Sequence, residues 1–361
     1  MIALKWLFPL VFVIGLAIFE ERVSIPSCEI VPRDGVEVDK EELRVMMVAN
    51  LLLMGSEAGY MNMYFRDSYM AKFLKKSFDR LQPDMLIVLG DVSARGSELT
   101  KSRWLSVLQQ FQRMLGPFLG LPLHIILGDR DIGECSKLDL KSVRWIASNM
   151  PGLDSSGCGA FEMSNVSFVS LNAVAMLCGN NDLRFSIEKV IERENSDLQT
   201  FSKDLVEREN EPSQSVGHFG WRVTDMPSGS GPVLLLHFPL HRSPNNNCKG
   251  YNTLKDHISS GPDESLKLLH NRIIFSAHSN GFCDHTHKDG TREVTVPSMT
   301  WGARDDPGFV VATFGRNKAV TVSQCSLARE SNVIMAYIFV ILLLISTTLV
   351  ASKSQLRNLQ R

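Results

Sequence analysis

The sequence predicts an α/β protein built on a largely parallel sheet. The first reason is that strand-type and helix-type hydrophobic patterns alternate between residues 44 and 127, with short connections between them. The second reason is that several strand-type segments are short, unbroken apolar runs, which is the composition of strands buried on both faces. Helices are therefore expected to cover the sheet.

The first half of the chain contains five elements in the order strand, helix, strand, helix, strand. They span residues 44–53, Asp67–Leu81, Met85–Leu89, 98–116 and 123–127. Met85–Leu89 is the clearest strand, because five apolar residues are too few for a lone helix and a Gly90-Asp91 turn follows. Strands joined through helices lie parallel, so the carboxyl ends of these strands are expected at one edge of the sheet.

The second half, from residue 160, has a different pattern. The predicted strands are 161–163, 166–171, 233–237, Ile273–Ser276, 292–296, 309–314 and 319–323. We expect the first two to form a hairpin and the last three to close the domain as an antiparallel set. The charge-rich segment 184–211 is interpreted as a solvated helix or a partly disordered surface insertion.

Both ends of the chain are apolar and predict membrane segments. Residues 333–351 carry no charge and are long enough to cross a hydrocarbon core of about 30 Å as a helix. The chain divides into a signal sequence or signal anchor (1–22), a linker (23–43), a globular domain (44–323), a stalk (324–332), a transmembrane helix (333–351) and a tail (352–361). The tail is basic, so the positive-inside rule places it in the cytosol and the domain in a lumen.

The composition narrows the classes of partner. Lys+Arg 38 and Asp+Glu 39 leave a net charge of -1, and the domain has no basic run interleaved with aromatic residues, which argues against nucleic acid. The seven cysteines lack CxxC spacing, so a zinc ribbon is not expected and one or two disulfides fit a lumenal compartment. Asn165-Val166-Ser167 is a glycosylation sequon within a predicted strand.

Polar residues of the metal-binding type follow four of the predicted strands. In chain order they are Asp91, then Asp129 with Arg130 and Asp131, then His237, then His278. A single carboxylate such as Asp91 is equally well explained as a helix cap. Four such endings, with oxygen donors first and imidazoles later, predict a metal or substrate site at the strand ends.

With these motifs the sequence resembles the calcineurin-like metallophosphoesterase superfamily. The matching segments are VANLL (48–52), GDVSARG (90–96), GDRD (128–131), LLLH (234–237) and AHSN (277–280). The resemblance covers residues 44–323. It implies a four-layer αββα double-sheet sandwich and metal-dependent hydrolysis of phosphoric esters.

Within that superfamily the sequence is most similar to the membrane-anchored branch that removes ethanolamine phosphate from GPI-anchor glycans. The shared segments are HFPLHR (237–242), CDHTH (283–287) and EVTVPSMTW (293–301), and an apolar span follows the domain in both. The resemblance implies a phosphodiesterase of the endoplasmic reticulum or Golgi membrane. Its implied partners are phosphorylated glycolipids or GPI-anchored proteins.

The chain departs from the superfamily pattern at several positions that bind metal or act in catalysis. The replaced positions are Asn50, Leu52, Ala94, Asp129, Arg130 and Asn280. Leu52 cannot bind a metal, and neutral amides at positions 50 and 280 are poor substitutes for a carboxylate and an imidazole. We therefore expect one of the two metal sites of the family to be lost.

The residues at the other metal site of the family are all potential ligands. By resemblance they are Asp91, Asp129, His237 and His278. Two carboxylates and two imidazoles suit one Mn²⁺, Zn²⁺ or Fe²⁺ ion. The alternative is a hydrogen-bonded polar cluster that holds no metal.

Arg130 and Asp131 stand where the family has a catalytic His-Asp pair. A guanidinium does not release a proton near neutral pH, so Arg130 cannot act as a general acid, but it is suited to bind phosphate, with Asp131 expected to hold it in place. Two functions stay open. One is a single-metal phosphodiesterase, and the other is a catalytically silent relative that binds a phosphorylated glycan or a protein partner.

The CDHTH segment allows more than one interpretation. Cys283, His285 and His287 are residue types that bind metals, but so tight a run after a strand is more often a support for a neighbouring site or the end of a disulfide. Cys248 is a candidate disulfide partner for Cys283.

Overall fold

A computed structural model describes residues 2–28, 42–178, 182–193, 231–240, 273–288, 290–315 and 319–359. Two six-stranded mixed sheets lie face to face, with helices on their outer sides, which confirms the predicted fold class. In β2, Val45 and Met47 belong to the apolar core between the sheets, while Met46 and Val48 face the helices. Because both faces of the strand are apolar, each face must be covered, one by the second sheet and the other by helices.

The first sheet has the strand order β1-β12-β11-β2-β3-β4. Its strands are β1 (Ser27–Cys28), β2 (Leu43–Val48), β3 (Met85–Leu89), β4 (Leu123–Ile126), β11 (Gly308–Phe314) and β12 (Val320–Ser326). β2, β3 and β4 are parallel, as predicted from their helical connections, and the remaining pairs are antiparallel.

The second sheet has the order β5-β6-β7-β8-β10-β9. Its strands are β5 (Gly159–Met163), β6 (Val166–Ser170), β7 (Val233–Leu235), β8 (Ile273–Ser276), β9 (Cys283–Thr286) and β10 (Arg292–Thr295). β5 and β6 form the predicted hairpin, and β6, β7, β8 and β10 are parallel. The predicted closing set is wrong in one respect, because β10 joins this sheet beside β8 while β11 and β12 belong to the first sheet.

The described residues contain eight α-helices. They are α1 (Ile2–Val23), α2 (Asp67–Leu81), α3 (Lys101–Leu115), α4 (Asp129–Ile132), α5 (Leu140–Ser148), α6 (Ala173–Leu177), α7 (182–193) and α8 (Glu330–Leu359). A π-helical turn, Asn62–Arg66, leads into α2. α3 begins later than the predicted 98–116 helix, because Gly96–Glu98 forms a separate 3₁₀ turn. Of the charge-rich segment 184–211, residues 184–193 belong to α7 and 194–211 lie outside the described residues.

The ends of the domain extend beyond the predicted boundaries. Ser27–Cys28, at the start of the expected linker, pairs with β12, and β12 itself continues to Ser326, into the expected stalk. The rest of that linker, 29–41, lies outside the described residues. Within the described part of the chain, Glu330–Val350 is long and apolar enough to cross a membrane, with a mean hydropathy of 2.7, by length and composition only.

Disulfides fix both termini of the domain and one loop. Cys28 is bonded to Cys325, and Cys135 to Cys178, while Cys283 is also disulfide-bonded. The chain therefore has more bridges than the one or two predicted. Cys248, the proposed partner of Cys283, lies outside the described residues.

The sequon residue Asn165 lies in a turn and not in a strand. Ser164 and Asn165 have φ values of 49° and 61° and connect β5 to β6 as a two-residue hairpin turn, which places the Asn165 side chain on the surface. The prediction that Asn165 lies in a strand is therefore wrong, because Asn165 lies in an exposed turn. Glycosylation at Asn165 stays a prediction.

His124 in β4 makes folding stability depend on pH. Burial lowers the pKa of His124 from 6.5 to about 4, and Nε2 lies 2.8 Å from the Ser170 hydroxyl. The imidazole stays neutral in the folded protein but takes up a proton in the unfolded chain, so its contribution is present above pH 6.5 and is lost as the pH falls toward 4. We expect this group to remove about 3 kcal/mol of unfolding free energy over that interval.

Denaturant unfolding of wild type and His124→Gln across this pH range measures the effect. Glutamine does not titrate but retains a polar group near Ser170, so the stability difference between the two proteins should shrink as the pH falls. Contributions from other titrating groups cancel in this difference. Parallel curves for the two proteins would contradict the assignment.

Candidate metal centre

The polar residues that follow four strands meet at one end of the sandwich. Asp91 follows β3 and Asp129 follows β4, both in the first sheet, whereas His237 and His278 follow β7 and β8 in the second sheet. Parallel order within each sheet brings the carboxyl ends of these strands together. All four residues predicted to bind a metal therefore converge.

Asp129 is at the centre of this group. Its Oδ1 lies 2.9 Å from Nε2 of His237 and 3.1 Å from Nδ1 of His278. The three ligand atoms are all within 4.8 Å of one another. A carboxylate and two imidazoles at this spacing are able to share one divalent ion after small side-chain movements.

His237 is oriented for this role by its second nitrogen. Nδ1 lies 2.8 Å from the carbonyl oxygen of Leu89, so Nδ1 carries the proton and donates it to that oxygen. The imidazole is completely buried. This hydrogen bond fixes the ring so that Nε2 is directed at Asp129. Metal-binding histidines usually receive such a hydrogen bond at the nitrogen that does not bind the metal.

Asp91 lies beside the three-residue group. Its Oδ1 is 3.5 Å from Nε2 of His237 and accepts a hydrogen bond of 3.1 Å from the amide of Arg130. The carboxylate is buried and close enough to become a fourth ligand. The described geometry therefore places Asp91 at the edge of the candidate site.

The charges of the site favour a bound cation. Burial raises the pKa of Asp91, and the neighbouring Asp129 carboxylate raises it further. Burial also opposes ionisation of Asp129, but hydrogen bonds from His237 and His278 outweigh it and hold the pKa of Asp129 below its ordinary value. Although burial lowers it, the pKa of His237 is raised to about 9 by these two carboxylates. Without a metal, the proton on His237 supplies the positive charge that the carboxylates require.

The backbone at the site is held in an unusual conformation. Five of the eight described non-glycine residues with positive φ are at positions of the site motifs, namely Asn50, Leu52, Asp91, His278 and Asn280. Such residues cost about 1–3 kcal/mol each and persist where the surrounding structure imposes them. Here the amides of Asn50 and Leu52 donate to the carbonyl oxygens of Gly90 and Asp91, which ties the first motif to the second.

The side chains at the expected second metal position do not fit a divalent ion. Nδ2 of Asn50 donates to Oδ1 of Asn280 at 2.7 Å, and Leu52 offers no ligand atom. Oδ1 of Asn50 is buried and has no hydrogen-bond partner. Neutral amide oxygens and a leucine, beside a single shared carboxylate, are a poor ligand set, so the expected loss of this site agrees with the geometry.

Arg130 and Asp131 do not form the expected pair. The Asp131 carboxylate is fully buried and accepts hydrogen bonds from the amides of Gly128 and Ser93 at 3.0 and 2.8 Å. Arg130 instead places Nε 3.5 Å from Oδ2 of Asp91 and is half exposed. The prediction that Asp131 holds Arg130 for phosphate binding is wrong, because the Asp131 side chain turns inward to join two loops, and Arg130 alone faces the site.

Sequence reasoning missed Glu293, which supports the loop after His237. The Glu293 carboxylate is fully buried and contacts the Ser276 hydroxyl at 2.6 Å, Nε2 of His287 at 2.8 Å and the Leu240 amide at 3.1 Å. Glu293 is the second residue of β10, and its supporting role depends on Ser276 in β8. It could be recognised only once β8 and β10 were known to be neighbouring strands.

This network also decides between the interpretations of the CDHTH segment. Cys283 is the end of a disulfide, and His287 binds Glu293. His285 packs its ring against that of His287, with 5.0 Å between the ring centroids. The segment therefore supports the site and does not supply its metal ligands.

Comparison with curated proteins finds relatives over most of the chain. No protein-family profile matches. Proteins named Metallophosphoesterase 1 are 26% identical over 349 residues in Rattus norvegicus and 25% identical over 328 residues in Cricetulus griseus. These matches cover 90% and 85% of this chain and 81% and 79% of the relatives.

Similar solved structures include two phosphatases. A dimetal phosphatase from Danio rerio has a TM-score of 0.43 and 13% identity, covering 80% of this chain and 99% of that one. A purple acid phosphatase from yellow lupin seeds has a TM-score of 0.46 and 12% identity, covering 81% of this chain and 55% of that one.

Gly128 allows the Asp91 carboxylate to approach the site, which gives a direct test. A Cβ on Gly128 would collide with Oδ1 of Asp91 and lie 2.5 Å from its amide nitrogen. We expect Gly128→Ala to displace this carboxylate and to weaken Mn²⁺ binding on the order of tenfold or more.

Calorimetric titration of the full-length protein in detergent with Mn²⁺ measures this effect. Gly120→Ala is the matched control, because a Cβ there meets no atom within 4 Å. Equal Mn²⁺ affinity in the two variants would show that Asp91 does not contribute to the site.

Proposed function

Because the chain belongs to the metallophosphoesterase superfamily, we propose that it is a membrane-anchored phosphodiesterase that works with one divalent ion. The proposed substrate is the ethanolamine phosphate of GPI-anchor glycans in the endoplasmic reticulum or Golgi lumen. The observation that carries the proposal is the convergence of Asp129, His237 and His278 from both sheets, with Asp91 beside them.

The donor set fits a single metal ion. Asp91, Asp129, His237 and His278 would hold Mn²⁺, Zn²⁺ or Fe²⁺, since two carboxylates balance the double charge and imidazoles suit these metals. A bound ion would polarise the phosphoryl oxygen of the substrate. The amide ligands and Leu52 at the other position support a count of one and not two.

Arg130 is the residue of this chain placed to bind the phosphate. Its guanidinium is half exposed and adjacent to the buried Asp91, so it faces solvent on one side and the site on the other. The planar guanidinium can donate two parallel hydrogen bonds to phosphate oxygens. It does not supply a proton to the leaving oxygen, which sets this site apart from one with a histidine at that position.

Several features support the membrane and lumenal parts of the proposal. Glu330–Val350 has the length and apolarity of a span, and the basic tail that follows favours the cytosolic side. The disulfides and the exposed Asn165 turn suit an oxidising lumen. The GPI substrate is supported by the resemblance of the HFPLHR, CDHTH and EVTVPSMTW segments.

A second candidate function is binding without hydrolysis. The contact between Arg130 and Asp91 favours this function. The positive guanidinium neutralises charge on the Asp91 carboxylate, as a second metal ion would, but it cannot activate a water molecule for hydrolysis. In this case the site would hold a phosphorylated glycan or a phosphorylated segment of a partner protein.

Activity and binding assays on the same full-length protein separate the two functions. A phosphodiesterase should release ethanolamine phosphate from a GPI glycolipid in the presence of Mn²⁺, and Asp129→Ala, which removes the ligand oxygen, should lower the rate on the order of 100-fold through loss of metal. Glu188→Gln, in an exposed pair with Arg184 on α7, should retain the wild-type rate.

The silent alternative predicts a different pair of results. The protein should bind ethanolamine phosphate in a calorimeter without turnover, and Arg130→Gln should weaken that binding on the order of tenfold. If neither turnover nor binding is detected with the metal-loaded protein, both functions are contradicted.

A further inference from the structure

An exposed apolar patch precedes α2. We define the 60–64 patch by four of its residues, Tyr60, Met61, Met63 and Tyr64, whose exposed fractions are 85%, 50%, 46% and 70%. Outside α1 and α8, the other exposed large apolar residues of the described chain are isolated from one another in sequence. Four such residues within five positions are not accounted for by the core of the domain.

The 60–64 patch is attached directly to the first turns of α8. Phe65, the next residue, contacts the ring of Tyr337 with 6.1 Å between the centroids. Arg66 forms a two-point ion pair with Glu330, through Nε at 2.7 Å and Nη2 at 3.2 Å. The patch thus adjoins the point at which the apolar helix leaves the domain.

Further contacts hold this junction in one geometry. The Trp301 ring lies 5.3 Å from Phe65 and 5.0 Å from Tyr69, and the Tyr69 hydroxyl lies 3.1 Å from that of Tyr337. Lys72 of α2 forms an ion pair of 2.6 Å with Glu20 near the end of α1. Because α2 binds both terminal helices, the patch cannot turn independently of them.

The surface of α8 identifies what covers the patch. Only 6% of the apolar window in Glu330–Val350 is buried within the protein, and Ile338, Phe339 and Ile341 are all exposed. Lipid is the medium that would cover this helix if it spans a membrane. The 60–64 patch lies beside the N-terminal end of α8 and is continuous with the exposed apolar surface of that helix.

The residue types in the patch suit the boundary of a bilayer. Tyrosine places an apolar ring in the acyl region and its hydroxyl among headgroups, and methionine adapts to irregular apolar surroundings. Tyr60 and Tyr64 are one turn apart and stack with 6.0 Å between centroids, so both lie on one face.

We propose that the 60–64 patch inserts into the lipid interface beside α8 and fixes the orientation of the phosphoesterase domain on the membrane. The inference rests on the proposed membrane anchoring by α8. The patch and α8 contact the bilayer side by side and are joined rigidly through Phe65 and Arg66, so the domain cannot swing about the helix alone. Such an orientation would keep the strand-end site at a constant height for lipid-attached substrates.

Lipid quenching of site-specific probes tests the proposal on full-length protein reconstituted in phosphatidylcholine vesicles. Single cysteines at Tyr64→Cys, Leu119→Cys and Ile341→Cys are labelled with an environment-sensitive fluorophore, and Cys158 does not compete because it is buried. Leu119 is the matched control, since it is 64% exposed and its neighbour Phe118 packs on Phe78 near the opposite end of α2.

Phosphatidylcholine with a spin label near the headgroup should quench the probe at position 64 several-fold more than the probe at position 119. The probe at position 341 should be quenched by a label deep in the acyl chain, which reports the anchor separately. Quenching at 341 but not at 64 overturns the patch proposal and leaves the anchor intact, including the case in which a protein partner covers the patch. Absence of quenching at both positions overturns the anchor and the patch proposal together.

Discussion

The contact of the Asp129 carboxylate with His237 and His278 is the interaction on which the site depends. Asp129 begins the short α4 after a strand of the first sheet, whereas both histidines follow strands of the second sheet. The contact therefore joins the two halves of the sandwich at their common edge. Asp129 and His237 carry opposite charge, so each stabilises the ionised form of the other: the pKa of Asp129 is held below its ordinary value and the pKa of His237 is raised.

The loops around that contact hold several non-glycine residues in the left-handed region of the backbone. Leu52 and Asn280 keep φ values of 54° and 58°, although leucine gains nothing from this conformation and cannot bind a metal. For Leu52, the conformation is imposed by hydrogen bonds from its own amide and from the amide of Asn50 to the carbonyl oxygens of Asp91 and Gly90, in the turn after β3. Backbone hydrogen bonds, and not a bound ligand, therefore account for the shape of this loop.

Much of the fold and of the candidate site was predictable from local patterns. Met85–Leu89 and Ile273–Ser276 have the predicted bounds because unbroken apolar runs between turn residues define buried strands. Asp129, His237 and His278 were predictable as a group because strand order fixes which ends meet. The direction of the Asp131 side chain was not predictable from the sequence. It depends on hydrogen bonds from the amides of Ser93 and Gly128, which are 38 and 3 residues away along the chain. β9 was not predicted as a strand, because its sequence, CDHT, has too few apolar residues for a strand pattern.

The metal count of the purified protein tests the central claim most directly when native protein is compared with Asn50→Asp/Leu52→His/Asn280→His. The substitutions place a carboxylate and two imidazoles where the chain has two amides and a leucine, so we expect one equivalent of Mn²⁺ in the native protein and two in the triple variant by elemental analysis. No metal in the native protein, or two equivalents before any substitution, would contradict it.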